Sequence, residues 1–156
     1  MRKFSTLSKC LTIVVFASSL ASTTAWGASS KDFSSSALSL DDAVQSGADI
    51  FAADTFGSEK RFNGQPATCA SCHGTNGKTE GRAPNGAPLP SLIGAAATFP
   101  KFDSQSSEVV TLEEQVMRCI KGGLQGEPPA YNSPEIVNLV TYLTSLSKGA
   151  VMGKQF

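Results

Sequence analysis

The pentapeptide Cys69-Ala70-Ser71-Cys72-His73 constrains this chain more than any other feature of its sequence. Two thiols separated by two residues, followed directly by an imidazole, match the pattern by which a haem is attached to protein. Each thiol can add to one vinyl group of the porphyrin, and the adjacent histidine can then reach the iron. The motif predicts one covalent haem c with its iron, held by Cys69 and Cys72, with His73 as the proximal iron ligand.

Two other uses of these cysteines compete with haem attachment. A disulfide or thioredoxin-like redox pair would employ Cys69 and Cys72, but that motif belongs beside a βαβ pattern, which the sequence lacks. A zinc site of three cysteines and one histidine would add Cys119, but the adjacent residues Cys72 and His73 fit poorly to the usual ligand spacing. Because His73 is the only histidine of the chain, a haem with two histidine ligands from this chain is excluded.

The N-terminal segment has the features of a secretory signal peptide. It begins with basic residues, continues with an apolar stretch over residues 11–20 and ends in small residues near Gly27. The apolar stretch is too short to span the bilayer core of about 30 Å comfortably. The sequence therefore predicts an exported protein, periplasmic if its source is a Gram-negative bacterium. Removal of residues 1–27, which include Cys10, would leave no membrane span.

The mature chain is predicted to contain one folded domain over residues 40–156. Residues 28–39 are rich in serine and have no periodicity, which is typical of a flexible leader. Removal of the signal peptide leaves 10 basic against 13 acidic side chains, so the formal charge falls from zero to −3. This acidity favours a redox partner with a basic surface. No charge run or glycine fingerprint indicates nucleic acid or nucleotide binding.

Helical periodicity and capping signals predict three helices. They are Leu40 to about Ala53 after the cap Ser39, Thr111 to Gly122-Gly123 with a capping box of Thr111 and Glu114, and Ser133-Pro134-Glu135 to Gly149. No strand alternation is visible, and residues 74–107 are predicted to be a long loop rich in glycine and proline. Because a loop of that length needs something to organise it, we expect an all-α fold packed around the haem.

Residues 40–149 resemble the class I cytochromes c. Gly47 and Phe51 in the first predicted helix, with Leu139 and Tyr142 in the last, resemble the crossing terminal helices of that family. A glycine at such a crossing lets a second helix approach closely. The resemblance implies the small class I cytochrome c fold and the transfer of single electrons between redox partner proteins.

Segment 90–94, Pro-x-Leu-x-Gly, resembles the proline segment of the same family. In that family the proline carbonyl accepts a hydrogen bond from the second ring nitrogen of the histidine ligand, which orients the imidazole. The resemblance makes Pro90 a cofactor-binding residue that pairs with His73. Pro84 and Pro88 compete for this role because they lie in the same loop.

The distal iron ligand has three candidates, Cys119, Met117 and Met152. On a helical wheel, Cys119 lies near the centre of the apolar face of the second predicted helix and should point inward, whereas Met117 lies to the side. Met152 follows the last helix, outside the loop from which class I cytochromes take a methionine. The pattern alone leaves Cys119 open between an iron ligand and an inert buried cysteine.

A narrower resemblance covers residues 66–153, and the pair Arg118-Cys119 is its most specific part. The other matching residues are Ala87-Pro88-Leu89-Pro90, Phe99-Pro100, Thr111-Leu112-Glu113-Glu114, Gly126, Pro128, Tyr131, Ser133-Pro134-Glu135, Tyr142-Leu143, Ser147 and Gly149. They resemble the cysteine-bearing haem domains of thiosulfate dehydrogenases and SoxA-type sulfur-oxidising cytochromes. This resemblance implies Cys119 as the distal ligand. Arg118 is then either an anchor for an anion beside the thiolate or a solvated surface arginine.

Two functions follow from these resemblances. The dihaem members of the group carry a second haem motif, whereas this chain carries one. The first hypothesis is therefore a monohaem carrier of single electrons that serves sulfur-compound oxidation. The second is the catalytic haem subunit of a thiosulfate dehydrogenase or SoxA-like enzyme, which binds thiosulfate or another small sulfur anion and uses Cys119 as ligand and catalytic residue. A haem-based sensor ranks last, because no output domain is visible.

Overall fold

The computed structural model describes residues 39–153. The predicted signal peptide and the predicted leader up to residue 38 lie outside the described residues. The helical elements are α1 (Leu40–Ala53), α2 (Cys69–His73), a 3-10 turn (Ala95–Thr98), α3 (Leu112–Arg118), a π-helical segment (Cys119–Leu124) and α4 (Pro134–Ser145). None of the described helices is long and apolar enough to cross a membrane.

Six short strands pair as three antiparallel hairpins. They are β1 (Arg61–Phe62) with β2 (Gln65–Pro66), β3 (Gly81–Arg82) with β4 (Pro88–Leu89), and β5 (Lys101–Asp103) with β6 (Glu108–Val110). The predicted all-α class is therefore too narrow, since the fold combines helices with small sheets. Strands of two or three residues are too short to show a period of two in the sequence, which explains why no strand was predicted.

The three predicted helix starts are confirmed. Ser39 accepts a hydrogen bond from the Asp42 amide (3.1 Å), and the Asp42 carboxylate accepts one from the Ser39 amide (2.9 Å). This reciprocal capping box satisfies two amides that the helix itself leaves without partners. Ser133 caps α4 in the simpler way, since its hydroxyl accepts a hydrogen bond from the Ile136 amide at 3.3 Å.

The start of α3 differs from its prediction in one detail. Thr111 accepts a hydrogen bond from the Glu114 amide at 3.2 Å, as predicted. The Glu114 carboxylate does not complete the capping box, because it pairs with Arg118 at 2.7 Å. The α-helical part ends at Arg118, and the chain continues to Leu124 with the wider turn of a π-helix.

Helices α1 and α4 cross at Gly47, as predicted. A Cβ atom at Gly47 would overlap the backbone carbonyl of Asn138, so any larger residue would push the helices apart. Next to the crossing, the rings of Phe51 and Tyr142 pack with centroids 5.6 Å apart and planes tilted by 56°. The crossing is therefore an apolar contact that depends on the missing side chain of one glycine.

The core lies between α1, α4 and the helical segment that follows Thr111. Its buried apolar residues are Phe51, Phe56, Ala67, Val116, Ile120, Leu124, Ile136, Leu139, Tyr142 and Leu143. The hydroxyl of Tyr142 also donates a hydrogen bond to the carbonyl of Asn76 at 2.6 Å. This bond ties α4 to the loop that follows α2, so the core fixes both sides of the predicted haem motif.

Candidate functional site

Helix α2 carries the predicted attachment motif on a single turn. Residues at i, i+3 and i+4 of a helix share a face, which places Cys69, Cys72 and His73 on one side of α2. The turn begins where the amide of Thr68 donates a hydrogen bond to the Ser71 hydroxyl at 2.9 Å. A helix this short has little stability of its own, so the contacts that surround it must hold the motif in place.

Two glycines let the chain fold closely around α2. A Cβ atom at Gly81 would overlap the carbonyl of Cys72, so the first strand of the β3–β4 hairpin lies directly against the motif. Gly74 ends the helix with φ +73°, a left-handed conformation that favours glycine. These close approaches fix the backbone of the cysteines from the C-terminal side.

All three cysteines of the described part are free. The structure therefore does not form the alternative disulfide between Cys69 and Cys72. Burial, followed by the negative charge of a nearby Cys119 thiolate, raises the pKa of Cys69 to about 12. Burial also raises the pKa of Cys72, while the charge of Lys60 lowers it. Both thiols are held in the neutral form and are available for attachment.

His73 presents a buried nitrogen without a partner. Its Nδ1 atom makes no hydrogen bond within residues 39–153, and burial lowers the pKa of the imidazole. A buried polar atom left unpaired costs about 1–3 kcal/mol. A neutral imidazole beside two free thiols fits the residues that a covalent haem requires, and the unpaired Nδ1 is the nitrogen for which the sequence predicts a backbone carbonyl as partner.

The predicted hydrogen bond between His73 and Pro90 is not formed in this structure. Pro90 follows strand β4 and is exposed, whereas Nδ1 of His73 is buried. The assignment of Pro90 as a cofactor-binding residue therefore stays a prediction.

Cys119 lies closer to solvent than its sequence predicted. Val116 and Ile120 are buried, as the wheel requires, but Cys119 between them is exposed. The backbone at Cys119 is still α-helical, with φ −65° and ψ −42°, and the Cys119 amide donates a hydrogen bond to the Gln115 carbonyl. Cys119 is therefore not part of the apolar core, and its role as an iron ligand stays a prediction.

The structure nevertheless brings Cys119 near the attachment motif. A thiolate at Cys119 raises the pKa of both Cys69 and Cys72, so its charge acts at both attachment residues. Cys119 is therefore close enough to the attachment motif for its charge to act there. Within the described residues, no three His, Cys, Asp or Glu side chains form a cluster that could hold a metal ion, so the zinc alternative finds no site there.

The two methionine candidates lie in different surroundings. Met117 is half-buried and packs against the hydrophobic core. Met152 is 67% exposed and borders a groove of about 950 Å³ between α1 and α4. The described lining of that groove contains none of the motif residues, so Met152 and His73 do not share this cavity.

Arg118 is fully engaged by carboxylates. Its guanidinium pairs with Asp103 at 3.0 Å, Glu108 at 3.2 Å and Glu114 at 2.7 Å. The hydrogen bond to Glu114, with the charges of all three carboxylates, raises the pKa of Arg118. Arg118 therefore attaches the β5–β6 hairpin to α3, and it is neither the predicted anion anchor nor a simply solvated arginine.

Two side-chain contacts of the segment from Gln115 to Leu124 were not predicted. Gln115 directs its amide nitrogen toward Cys119 Sγ, at 3.5 Å. The ammonium group of Lys60 donates a hydrogen bond to the carbonyl of Gly123, at 2.7 Å, at the end of the π-helical segment. The spacing of four residues between Gln115 and Cys119 could have indicated the first contact. No local signal links Lys60 to Gly123, because they are far apart in the sequence.

Two thiosulfate dehydrogenases are similar to part of this chain. The one from Stutzerimonas stutzeri is 33% identical over 112 residues, which cover 72% of this chain and 34% of that protein. The one from Allochromatium vinosum is 27% identical over 92 residues, which cover 59% of this chain and 33% of that protein. The chain therefore spans about a third of the length of these relatives.

A solved structure shows the same fold. Thiosulfate dehydrogenase (TsdBA) from Marichromatium purpuratum superposes with a TM-score of 0.55 and 22% identity, covering 74% of this chain and 25% of that one. The model of the SoxA/TsdA cytochrome c domain matches residues 58–152, which include the attachment motif and Cys119. A cytochrome c domain implies haem c and its iron. The chain belongs to the SoxA/TsdA cytochrome c domain family.

Proposed function

We propose that this chain is an exported monohaem cytochrome that carries single electrons in the oxidation of sulfur compounds. The observation that supports this most is the single attachment turn of α2, which carries two free thiols and the imidazole of His73 on one face. The family contains the cytochrome c domains of sulfur-oxidising proteins. One haem handles one electron at a time, which suits a carrier.

The residues of α2 would hold the cofactor. Cys69 and Cys72 would attach it through thioether bonds, and His73 would bind its iron. Burial lowers the pKa of His73, so its imidazole is neutral at neutral pH, and this is the form that binds metal. A haem held there supplies one-electron chemistry at its iron.

Cys119 is the distal ligand in this proposal. Two observations support it: the charge of Cys119 acts on both attachment cysteines, and the match to the family includes its position. A thiolate donates electron density and favours the ferric state, which lowers the reduction potential. Met117 and Met152 are the alternatives, and either would raise the potential.

The partner is a redox protein with a basic surface. The mature chain has a formal charge of −3 after removal of the predicted signal. Three carboxylates face one guanidinium at the β5–β6 hairpin, so this part of the surface is acidic as well. Opposite charges steer such partners together and make association faster at low salt. The predicted signal peptide places the exchange outside the cytoplasm.

Catalysis is a second candidate function, because the similar proteins from Stutzerimonas stutzeri and Allochromatium vinosum are thiosulfate dehydrogenases. A small sulfur anion such as thiosulfate would then react at Cys119. Oxidative coupling of two thiosulfate ions releases two electrons, which a single haem would pass on one after the other. In this alternative Cys119 is both the ligand and the reaction partner.

Turnover with thiosulfate separates the two functions. The purified holoprotein is mixed with thiosulfate and ferricyanide, and the reduction of ferricyanide is followed against Cys119→Ala. A carrier exchanges electrons with ferricyanide but consumes no thiosulfate beyond the rate of the variant. Thiosulfate consumption that requires Cys119 would contradict the carrier and establish the enzyme.

A further inference from the structure

Gln115 and Cys119 face each other on one turn of the helix that begins at Thr111. The amide Nε2 of Gln115 lies 3.5 Å from Cys119 Sγ, within reach of a hydrogen bond to sulfur. Residues four apart on a helix are neighbours on its surface. An amide N–H is a donor and sulfur is a weak acceptor, which becomes much stronger when the thiol is ionised.

The Gln115 side chain is available to donate a hydrogen bond to Cys119 Sγ. Within residues 39–153 its amide makes this one hydrogen bond, and its backbone amide donates to the Thr111 carbonyl at 3.0 Å. Arg118, three residues further on, is engaged by carboxylates and attaches the helix to the β5–β6 hairpin. Gln115 is thus an uncharged hydrogen-bond donor to the sulfur, and it lies on a helix that Arg118 attaches to the β5–β6 hairpin.

We propose that Gln115 is a positioning residue whose amide donates a hydrogen bond to the Cys119 thiolate and thereby raises the reduction potential of the haem iron. The inference rests on the proposed function, in which Cys119 is the distal ligand. A hydrogen bond to the thiolate withdraws electron density from the sulfur and weakens its donation to ferric iron. The ferrous state is then more stable, relative to the ferric state, than it would be with a thiolate that accepts no hydrogen bond.

Replacement of Gln115 tests this role. In Gln115→Leu the donor is lost while helix propensity is kept, and in Gln115→Glu the donor is replaced by a negative charge. Gln45→Leu is the matched control, because the Gln45 amide bonds to Asp49 at 3.0 Å in the same i,i+4 geometry on α1. The reduction potential and the electron paramagnetic resonance (EPR) spectrum of each holoprotein are measured.

We expect Gln115→Leu to lower the ratio of ferrous to ferric haem at a fixed applied potential by about three- to tenfold. A tenfold change corresponds to about 59 mV for one electron. Gln115→Glu should lower the ratio further, and Gln45→Leu should leave it unchanged. The thiolate signature in the EPR spectrum should persist in all three variants, with shifted g-values in the two Gln115 variants only.

Two different results would overturn the inference: one concerns Gln115 alone, and the other concerns Cys119 as the iron ligand. A thiolate signature that persists in both Gln115 variants, with an unchanged potential, contradicts the role of Gln115 alone. A wild-type spectrum without any thiolate signature removes Cys119 as the ligand, and the proposed arrangement at the iron fails together with the inference.

Discussion

The α1–α4 crossing and the turn that carries Cys119 are held by different kinds of contact. At the crossing, buried apolar side chains pack around Gly47, where a Cβ atom would overlap the backbone. The turn at Cys119 combines buried apolar residues, Ile120 and Leu124, with polar contacts from Ser58, Lys60 and the carboxylates around Arg118. The crossing therefore depends on close packing, whereas the turn depends on hydrogen bonds and ion pairs as well.

The largest expected effect is at the crossing. Gly47→Ala should lower the free energy of unfolding by about 3 kcal/mol, because the added methyl group overlaps the Asn138 carbonyl and forces α1 and α4 apart. Urea denaturation of the holoprotein measures the change. Gly122→Ala is the matched control, since a Cβ atom there meets nothing within 4 Å, and it should change stability by less than about 1 kcal/mol. Equal losses in both variants would remove the special role of the crossing.

Ser58 should give the next largest effect. Its buried hydroxyl donates a hydrogen bond to the Leu124 carbonyl and accepts one from the Lys60 amide at 3.0 Å. Ser58→Ala leaves a buried carbonyl without its donor, which should lower the free energy of unfolding by about 2 kcal/mol. Urea denaturation compares this variant with Ser104→Ala, whose side chain is exposed.

The same variant should also change the EPR spectrum, because Ser58 holds the end of the π-helical segment. Gly47→Ala should leave the spectrum of the folded protein unchanged.

A smaller and pH-dependent effect is expected at Arg118. The amide of Gln105, then the Ser106 hydroxyl and the charge of Arg118, lower the pKa of Asp103. A carboxyl group with a lowered pKa contributes stability above its ordinary pKa of about 3.9, and this contribution is lost as the pH falls. Arg118→Met removes only the contribution of Arg118 to this lowering, so it should be slightly less stable than wild type at pH 7, and the difference should narrow below about pH 4.

Urea midpoints across this pH range test the Arg118 prediction. Added salt should also narrow the difference at pH 7, because the ion pairs are partly exposed and salt screens them. A difference that does not change with pH or salt would mean that Arg118 acts through packing of its aliphatic part and not through its charge.

Signals in the neighbouring sequence were sufficient to predict where the three main helices begin. Ser39, Thr111 and Ser133 marked the helix starts through residues within the next turn. The crossing at Gly47 was predicted from the resemblance to the class I cytochromes c. The attachment motif is also contiguous and was recognised from the sequence, whereas the helical turn that carries it was not predicted. These features depend on neighbours along the chain or on a repeated apolar period.

The surroundings of Cys119 could not be predicted in the same way. Ser58 and Leu124 are 66 residues apart, and Arg118 and Asp103 are 15 apart. Such contacts hold the C-terminal end of the π-helical segment, and no signal in the neighbouring sequence marks them. The helical wheel placed Cys119 inward, although the side chain is exposed. The three hairpins escaped prediction because each strand is only two or three residues long.

The most direct test of the account is the EPR spectrum of the ferric holoprotein, with wild type compared to Cys119→Ala. Met117→Leu and Met152→Leu serve as controls for the other candidate ligands. The account predicts a low-spin thiolate signature in the wild type and in both methionine variants, and its loss in Cys119→Ala. A spectrum that is unchanged in Cys119→Ala but altered in a methionine variant would contradict the account and assign the distal position to that methionine.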